Sequence, residues 1–433
     1  MKIRIVNWES GRRNAAVDGF VNRPAFDEKA EVVARDVLRK IRKDGLKAVV
    51  KYAKDFDGAE LSPARVKVSA KEIAAAAKQV DASFKRSAKE SRKRISAFSK
   101  AGLRKDWSMA TPGKGRVGEV FHPLDRVGVY IPGGAAPLVS TALMTISIAK
   151  VAGVKEIVAC TPCGPDGVVN PYLLYAMDLA GATEIYRVGG VQSIGLMAYG
   201  AGKIRPVQKI VGPGGTFVTA AKRAVYGDVA LDLVAGPSEI AVLADTSAPA
   251  AAVSADLLSQ AEHGTGFEKS LLVTTSKAFA EKVKRELIRQ TETLSRRKLI
   301  ERMAEKGILL AVVKNLDAGV ELINAFAAEH VEIITRDAAK VAKRITCAGA
   351  IFVGPWTPES AGDFVAGPSH VLPTGGAARS FSGLTVDDFQ RRSSVIAFTK
   401  KDLQDTVGVI EDFGRVEDLD GHARAATIRF SRS

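Results

Sequence analysis

From Arg126 onward the chain alternates between two patterns. Short β-branched runs closed by glycine or proline (RVGVYIPGG, EIVACTPCG, EIYRVGG, KIVGPGG) are separated by longer stretches with apolar residues at helical spacing, such as STALMTISIAKVAG and FVTAAKRAVYG. Apolar runs bounded by turn residues read as strands buried on both faces, and the intervening periodicity reads as helix. Strand and helix in alternation predict a parallel sheet with right-handed crossovers. A second series follows (EIAVLAD, SLLVTT, GILLAVV, VEIIT, AIFVG), again with helical stretches between. The expected class is therefore α/β, with two tandem Rossmann-like, incompletely doubly wound units and ligands in crevices at the carboxyl ends of the strands.

The flanking regions differ. Residues 1–25 hold a strand-like KIRIV and a polar loop, an arm that packs on something else. From Asp27 the pattern turns helical, continues from Leu46 to Asp55, and restarts at Ser69-Ala-Lys-Glu72, a capping box. After Gly354 comes a loop rich in Gly, Pro and Ser, then SGLTVDDFQRRSSVIAFTK and two helical stretches ending at Arg429. The division expected is an arm at 1–25, one α/β unit from 26–128 plus 237–384, a second at 129–236, and a helical tail at 385–433.

Composition narrows the picture. At 433 residues the chain is too long for one compact core. Cys160-Thr-Pro-Cys163 has redox or zinc spacing, but there is no second pair and Cys160 ends a strand, so the pair reads as structural. No apolar run is long enough to span a bilayer and no signal-peptide core opens the chain, which predicts a cytoplasmic protein. The net charge of +15 raises nucleic-acid binding as a rival function. Much of that charge is local: Lys85, Arg86, Lys89, Arg92, Lys93 and Arg94 share one helical segment with only Glu90 to offset them and few aromatic residues for stacking, which favours a solvated helix face over a nucleic-acid partner.

Candidate chemistry gathers in the second half. A helix expected from Pro249 to Gly264 carries Gln260 and His263 three apart on its last turn, so that an amide oxygen and an imidazole point at one centre. The pair is weak by itself. Glu329 and His330 stand where a helix meets the strand VEIIT, and an imidazole there suits general-base work near neutral pH. No G-x-G-x-x-G follows any strand, although the glycine turns at 131–134, 188–190 and 212–215 would let backbone amides approach a pyrophosphate.

The ordered set AGPSE (235–239), LLSQAEHG (257–264), AEH (328–330), ESAGDFVAGPSHVLPTGG (359–376) and GHA (421–423) resembles the histidinol dehydrogenases, over a span from about Phe20 to Arg429. That resemblance implies a zinc- and NAD-dependent enzyme oxidising L-histidinol to L-histidine through histidinal. It implies one Zn²⁺ on Gln260, His263, Asp363 and His422, with Glu329 activating water and His330 exchanging protons. Ser238, His370 and Glu417 are implied as further substrate contacts, and Tyr130 and Gln192 as NAD contacts. The family's third NAD contact is an asparagine that this chain replaces with Gly215, and its proline before the Glu-His pair is here Ala328. The resemblance also implies a homodimer whose tails complete the partner's site. A relative with the same machinery acting on another polar alcohol, such as a sulfonated diol, is the rival; the GPSE motif, Glu417 and His422 match the histidinol form.

Overall fold

The computed structural model describes residues 1–431 except 24–27, 134–135, 235 and 264–265. The expected helix start at Asp27, the last glycine of the 131–134 turn, Ala235 of AGPSE and the helix stop at Gly264 lie outside the described residues.

Strand β1 (Arg4–Trp8) and helix α1 (Ala15–Val21) open the chain, followed by α2 (Glu28–Asp44), α3 (Leu46–Asp57), α4 (Ala70–Gln79) and α5 (Ala82–Ala101). At the start of α4, Ser69 and Glu72 cap each other's backbone as predicted. On α5, Ala88, Ser91, Ile95 and Ser99 are buried while Arg86, Lys89, Arg92, Lys93 and Arg94 face solvent.

Strands β2 (Trp107–Ala110) and β3 (Arg116–Pro123) precede the first α/β series. That series is β4 (Arg126–Tyr130), α6 (Val139–Ala152), β5 (Glu156–Cys160), α7 (Pro171–Ala180), β6 (Glu184–Tyr186), α8 (Gly190–Tyr199), β7 (Lys209–Val211), α9 (Thr216–Val225) and β8 (Ala230–Leu231). All its strand pairs are parallel, in the order β6-β5-β4-β7-β8. Counted within the sheet this is third-second-first-fourth-fifth, the order of dinucleotide-binding sheets.

The second series is β9 (Glu239–Ala244), α10 (Ala250–Ala261), β10 (Lys269–Thr274), α11 (Lys277–Thr291), α12 (Arg297–Gly307), β11 (Ile308–Val313), α13 (Leu316–Phe326), β12 (His330–Ile334), α14 (Ala338–Ala342) and β13 (Ala350–Val353). Its order, β1-β11-β10-β9-β12-β13, repeats the same plan and adds the N-terminal strand at one edge. Every residue of β4, β9 and β12 is buried, as strands covered on both faces require.

After β13 come α15 (Glu359–Phe364), β14 (Gln390–Ala397), which pairs antiparallel with β3, and a hairpin of α16 (Lys400–Val416) on α17 (Asp420–Thr427). Asp402 ties this tail to the body by accepting from the backbone of Gly113 and Gly115. Among the described residues no helix is long and apolar enough to cross a membrane.

Helices α2 to α5 pack chiefly on the helices of the five-stranded unit: α2 on α8 and α9, α3 on α8, α4 on α7, and α5 on α6. The expected division groups residues 26–128 with 237–384 instead. Periodicity marks the apolar face of α2 (Ala34, Val37, Leu38, Ile41) but not the surface that receives it. Gly195 on α8 lets Leu38 and Ile41 approach so closely that a Cβ there would come within 2.9 Å of Ile41. Helix α5 also touches the other unit, where Ser91 Oγ donates to the Phe364 carbonyl at 2.6 Å.

Candidate active site

Glu239 and His330 are the first residues of two neighbouring parallel strands, β9 and β12. The acid–histidine cluster therefore stands at the amino edge of the six-stranded sheet, not at the carboxyl ends where the sequence pattern placed ligands. Local backbone explains the placement. Helix α13 ends through Ala327 in the left-handed region (φ 50°), and the chain turns at once into buried Ala328, Glu329 and His330.

The backbone of Glu239 holds both candidate catalytic groups. Its N–H donates to Glu329 Oε2 at 3.0 Å, and its carbonyl lies 3.2 Å from His330 Nδ1. Only a protonated Nδ1 can bond to a carbonyl, so Nε2 is left to face the site. The Glu239 side chain is itself fixed by a buried ion pair with Arg23, which also donates to the Phe326 carbonyl at 3.0 Å.

Around His330 Nε2 stand Asp363 Oδ1 at 3.7 Å and Glu359 Oε1 at 3.9 Å, both carried by α15. Ser259 Oγ donates to Glu359 Oε2 at 2.8 Å, joining the end of α10 to α15. Beneath them Glu332 accepts from the Glu359 N–H at 2.7 Å and shares a hydrogen bond with Asp256. Burial dominates the titration of this group: it pushes Glu329 up to about 8 and Glu359 to about 7, and lifts Glu332 well above the usual carboxylate range. Asp363 is held low, because the neighbouring imidazoles of His330 and His370 outweigh burial. Burial alone would lower His330, but Glu329 and Asp363 prevail and raise it to about 10.

His370 sits with Nδ1 3.6 Å from Asp363 Oδ1 and Nε2 3.1 Å from Thr141 Oγ1. Thr141 lies in the first turns of α6, so this contact joins the two α/β units at the site.

The expected metal ligands are only partly gathered. Gln260 is buried on the last turn of α10 as predicted, and among the described residues neither its Oε1 nor its Nε2 has a partner. His263 lies two residues beyond the helix, exposed, with Nδ1 3.2 Å from the Gln260 carbonyl. Asp363 is in the cluster, within 4.8 Å of ligand atoms of His330 and Glu359. His422 and Glu417 lie elsewhere, on the exposed tail, lining a groove of about 210 Å³ with Val409, Ile410 and Phe413. The residues present fit a divalent cation on two grounds: an orphaned buried carboxamide needs a partner, and Glu329, Glu332, Glu359 and Asp363 exceed the cationic capacity of His330 and His370. Glu359 was missed in the sequence, although it stands four residues before Asp363 on one helix face. Asp256, Glu332 and Thr141 left no such signal.

Tyr130, Gln192 and Gly215 lie at the carboxyl edge of the five-stranded sheet, where β4 and β7 diverge from the strand order. Tyr130 ends β4; its hydroxyl bonds to the Gly190 backbone, and burial pushes its pKa up to about 12. Gln192 is fully buried, with Nε2 2.7 Å from Asp57 Oδ2 and Oε1 without a partner among the described residues. Gly212 (φ +112°) begins the 212–215 turn so close to β4 that a Cβ would lie 2.2 Å from the Tyr130 carbonyl oxygen. Its N–H donates to Asp232 at 2.8 Å and its carbonyl accepts from Lys222 at 2.8 Å, a buried ion pair that clips the turn. Gly215 is the exposed N-cap of α9 with open space around it. The orphaned Gln192 oxygen and the clipped glycine turn suit a dinucleotide. Ser238, half-buried, immediately precedes Glu239. Cys160 is buried and Cys163 partly so; burial raises both thiols and neither is an activated nucleophile.

The sequence profile of histidinol dehydrogenase matches residues 22–430. The histidinol dehydrogenase of Heliobacterium mobile is 42% identical over 431 residues, covering 99% of this chain and all of its own. That of Moorella thermoacetica is 43% identical over 397 residues, covering 91% of this chain and 93% of its own. The crystal structure of histidinol dehydrogenase from Elizabethkingia anophelis superposes with a TM-score of 0.93 at 33% identity, covering 99% of this chain and 98% of its own.

Proposed function

The chain belongs to the histidinol dehydrogenase family of NAD-dependent oxidoreductases in histidine biosynthesis, and from that premise we propose that it oxidises L-histidinol to L-histidine through histidinal, using two NAD⁺ and one Zn²⁺ per subunit. The observation that carries the reading is the buried Glu329–His330 pair, held from one backbone unit and facing an excess of carboxylates. When bound, NAD⁺ supplies the hydride acceptor and zinc a Lewis acid for the polar groups of the substrate. Gln260, His263 and Asp363 would hold the metal from this chain.

His330, with Nδ1–H committed to Glu239, presents Nε2 as acceptor of the alcohol proton. The ammonium of an amino alcohol brings positive charge among Asp363 and Glu359, and so lowers His330 from its resting value toward that of a working base. Oxidation of the aldehyde needs water as nucleophile. Glu329, at about 8, is a carboxylate basic enough to take a proton from that water. Ser238 and His370 border the same cluster and are assigned to substrate contact.

The tail belongs to the same reading. Val409, Phe413, Val416 and Leu419 are exposed on α16 and beyond it, an apolar face that a single chain leaves uncovered. We assign it to a homodimer in which Glu417 and His422 enter the partner's site. Functionally the chain then divides with its sheets, 129–236 for cofactor and 237–384 for substrate, with 1–25 and 385–433 as appendages. A cytoplasmic location completes the reading, in keeping with three free cysteines.

The deciding experiment counts NADH per histidinol with metal content measured on the same sample. Two NADH and one zinc per subunit are expected, and His263→Ala should lower zinc content and activity together. One NADH per alcohol, or full turnover without metal, overturns the reading. Mixing inactive His422→Ala and His330→Ala dimers under demonstrated exchange should regenerate activity; none would place His422 in its own subunit's site.

A further inference from the structure

The five-stranded sheet has the strand order of a dinucleotide-binding sheet, and in such sheets an acid at the carboxyl end of the second strand accepts hydrogen bonds from the adenosine ribose. Here the second strand is β5, and it runs out in Cys160-Thr161-Pro162-Cys163 without a carboxylate. An acid nevertheless stands at this edge, brought from outside the sheet. Asp57 is the last residue of α3, which packs on α8. Its Oδ2 lies 2.7 Å from Gln192 Nε2, and its charge acts on both Tyr130 and Cys163, so it is placed among the ends of β4, β5 and the start of α8.

Two features suit this acid to a diol. Among the described residues no Lys or Arg pairs with it, and Gln192 is its one hydrogen-bond partner, so acceptor capacity remains on a carboxylate that is only partly exposed. Beside it Gln192 Oε1 lacks a partner among the described residues, as does the buried Thr161 Oγ1 just after β5. A carboxylate with spare acceptor capacity beside an unpaired amide oxygen matches a pair of ribose hydroxyls; Arg187, whose charge also acts on Cys163, is already held by Glu72 and the Gly167 carbonyl. The same carboxylate disfavours a 2′-phosphate, which would stand against its charge.

We propose that Asp57, oriented by Gln192, accepts the adenosine ribose hydroxyls and makes the site select NAD⁺ over NADP⁺. The assignment rests on the reading that the chain uses NAD in this crevice. The carboxylate performs here, from a helix of the N-terminal lead-in, the task that the second strand of the sheet leaves undone. This also gives the packing of α3 on the five-stranded unit a consequence for specificity.

The test is the dissociation constant of each dinucleotide, measured by titration calorimetry on the full-length protein without substrate, for wild type, Asp57→Asn and Asp57→Ala. Thermal unfolding verifies that each variant is folded. Asp57→Asn keeps the shape and a hydrogen-bonding group opposite Gln192 but removes the charge. The expected result is NAD⁺ binding weakened about tenfold in both variants, with the preference for NAD⁺ over NADP⁺ reduced by at least that factor. Equal weakening toward both dinucleotides would mean that Asp57 merely supports Gln192, and overturns the assignment. So does an unchanged preference in variants that still bind NAD⁺ as wild type does. Absence of NAD⁺ binding by the wild type overturns the cofactor reading itself, and this proposal with it.

Discussion

The two parallel sheets share one strand order and strands buried on both faces, yet their candidate sites stand at opposite edges. At the carboxyl edge of the five-stranded sheet glycine backbone stands among a few polar side chains: Gly190 beside Tyr130 and Gln192, and Gly212 clipped on both sides by Lys222 and Asp232. At the amino edge of the six-stranded sheet they are buried side chains, with Glu329, His330, Glu359 and Asp363 packed within a few bonds' reach. Thr141 and His370 touch where the two units meet. A repeated topology thus supplies two different surfaces, one suited to a phosphate-bearing cofactor and the other to proton transfer.

The largest effect should come from breaking the amino edge. Glu329→Gln keeps the hydrogen bond from Glu239 but removes the base, so histidinal oxidation should fall on the order of 10²-fold while histidinol oxidation falls far less. In single-turnover NADH formation, His330→Asn should damage both steps. Equal losses in the two steps of Glu329→Gln would refute the division of labour. The pH dependence sharpens the same point. A base must be unprotonated to act, so the aldehyde step should rise with pH through a value at or below about 8, the lower figure applying when cations bind nearby. That limb should be missing from Glu329→Gln.

The carboxyl edge is broken by backbone instead. Gly212→Ala places a Cβ against the Tyr130 carbonyl at a positive φ, and should cost about 2 kcal/mol of stability or more, with NAD⁺ binding impaired. Denaturant unfolding decides it; wild-type stability would show that the turn can shift. A smaller gain is expected from Gly215→Asn, where the space is open: NAD⁺ should bind tighter by about 0.5–1.5 kcal/mol if one hydrogen bond is added. An unchanged dissociation constant would mean that the loop already compensates. The smallest change returns to the amino edge. Ala327→Gly relieves a left-handed alanine and should stabilise by about 0.5–1 kcal/mol. A loss of activity accompanying that gain would show that stiffness at this turn serves the catalytic pair.

Legibility followed the range of the interactions. The strands, the Ser69 capping box, the solvated basic face of α5 and Gln260 at a helix end were readable because each depends on neighbours within one or two turns. Long motifs named the family and hence Glu329, His330 and Asp363. Glu359 carried a readable signal, an acid four residues before Asp363, that went unused. Nothing local announces Asp256 beneath Glu332, Thr141 against His370, or Asp57 at the end of a helix far from β5 in sequence.

By itself, then, the sequence determined two α/β series, their buried strands and the chemical groups available, since apolar period and turn residues are properties of short segments. Tertiary structure decided which edge of each sheet carries chemistry, because that depends on where α13 turns into β12. It decided which sheet receives α2 to α5, because an apolar face does not name its partner. It also set the protonation of the site: Glu329 stands near 8 because folding buries it away from water, and His330 near 10 because folding sets it against Glu329 and Asp363, which outweigh its own burial.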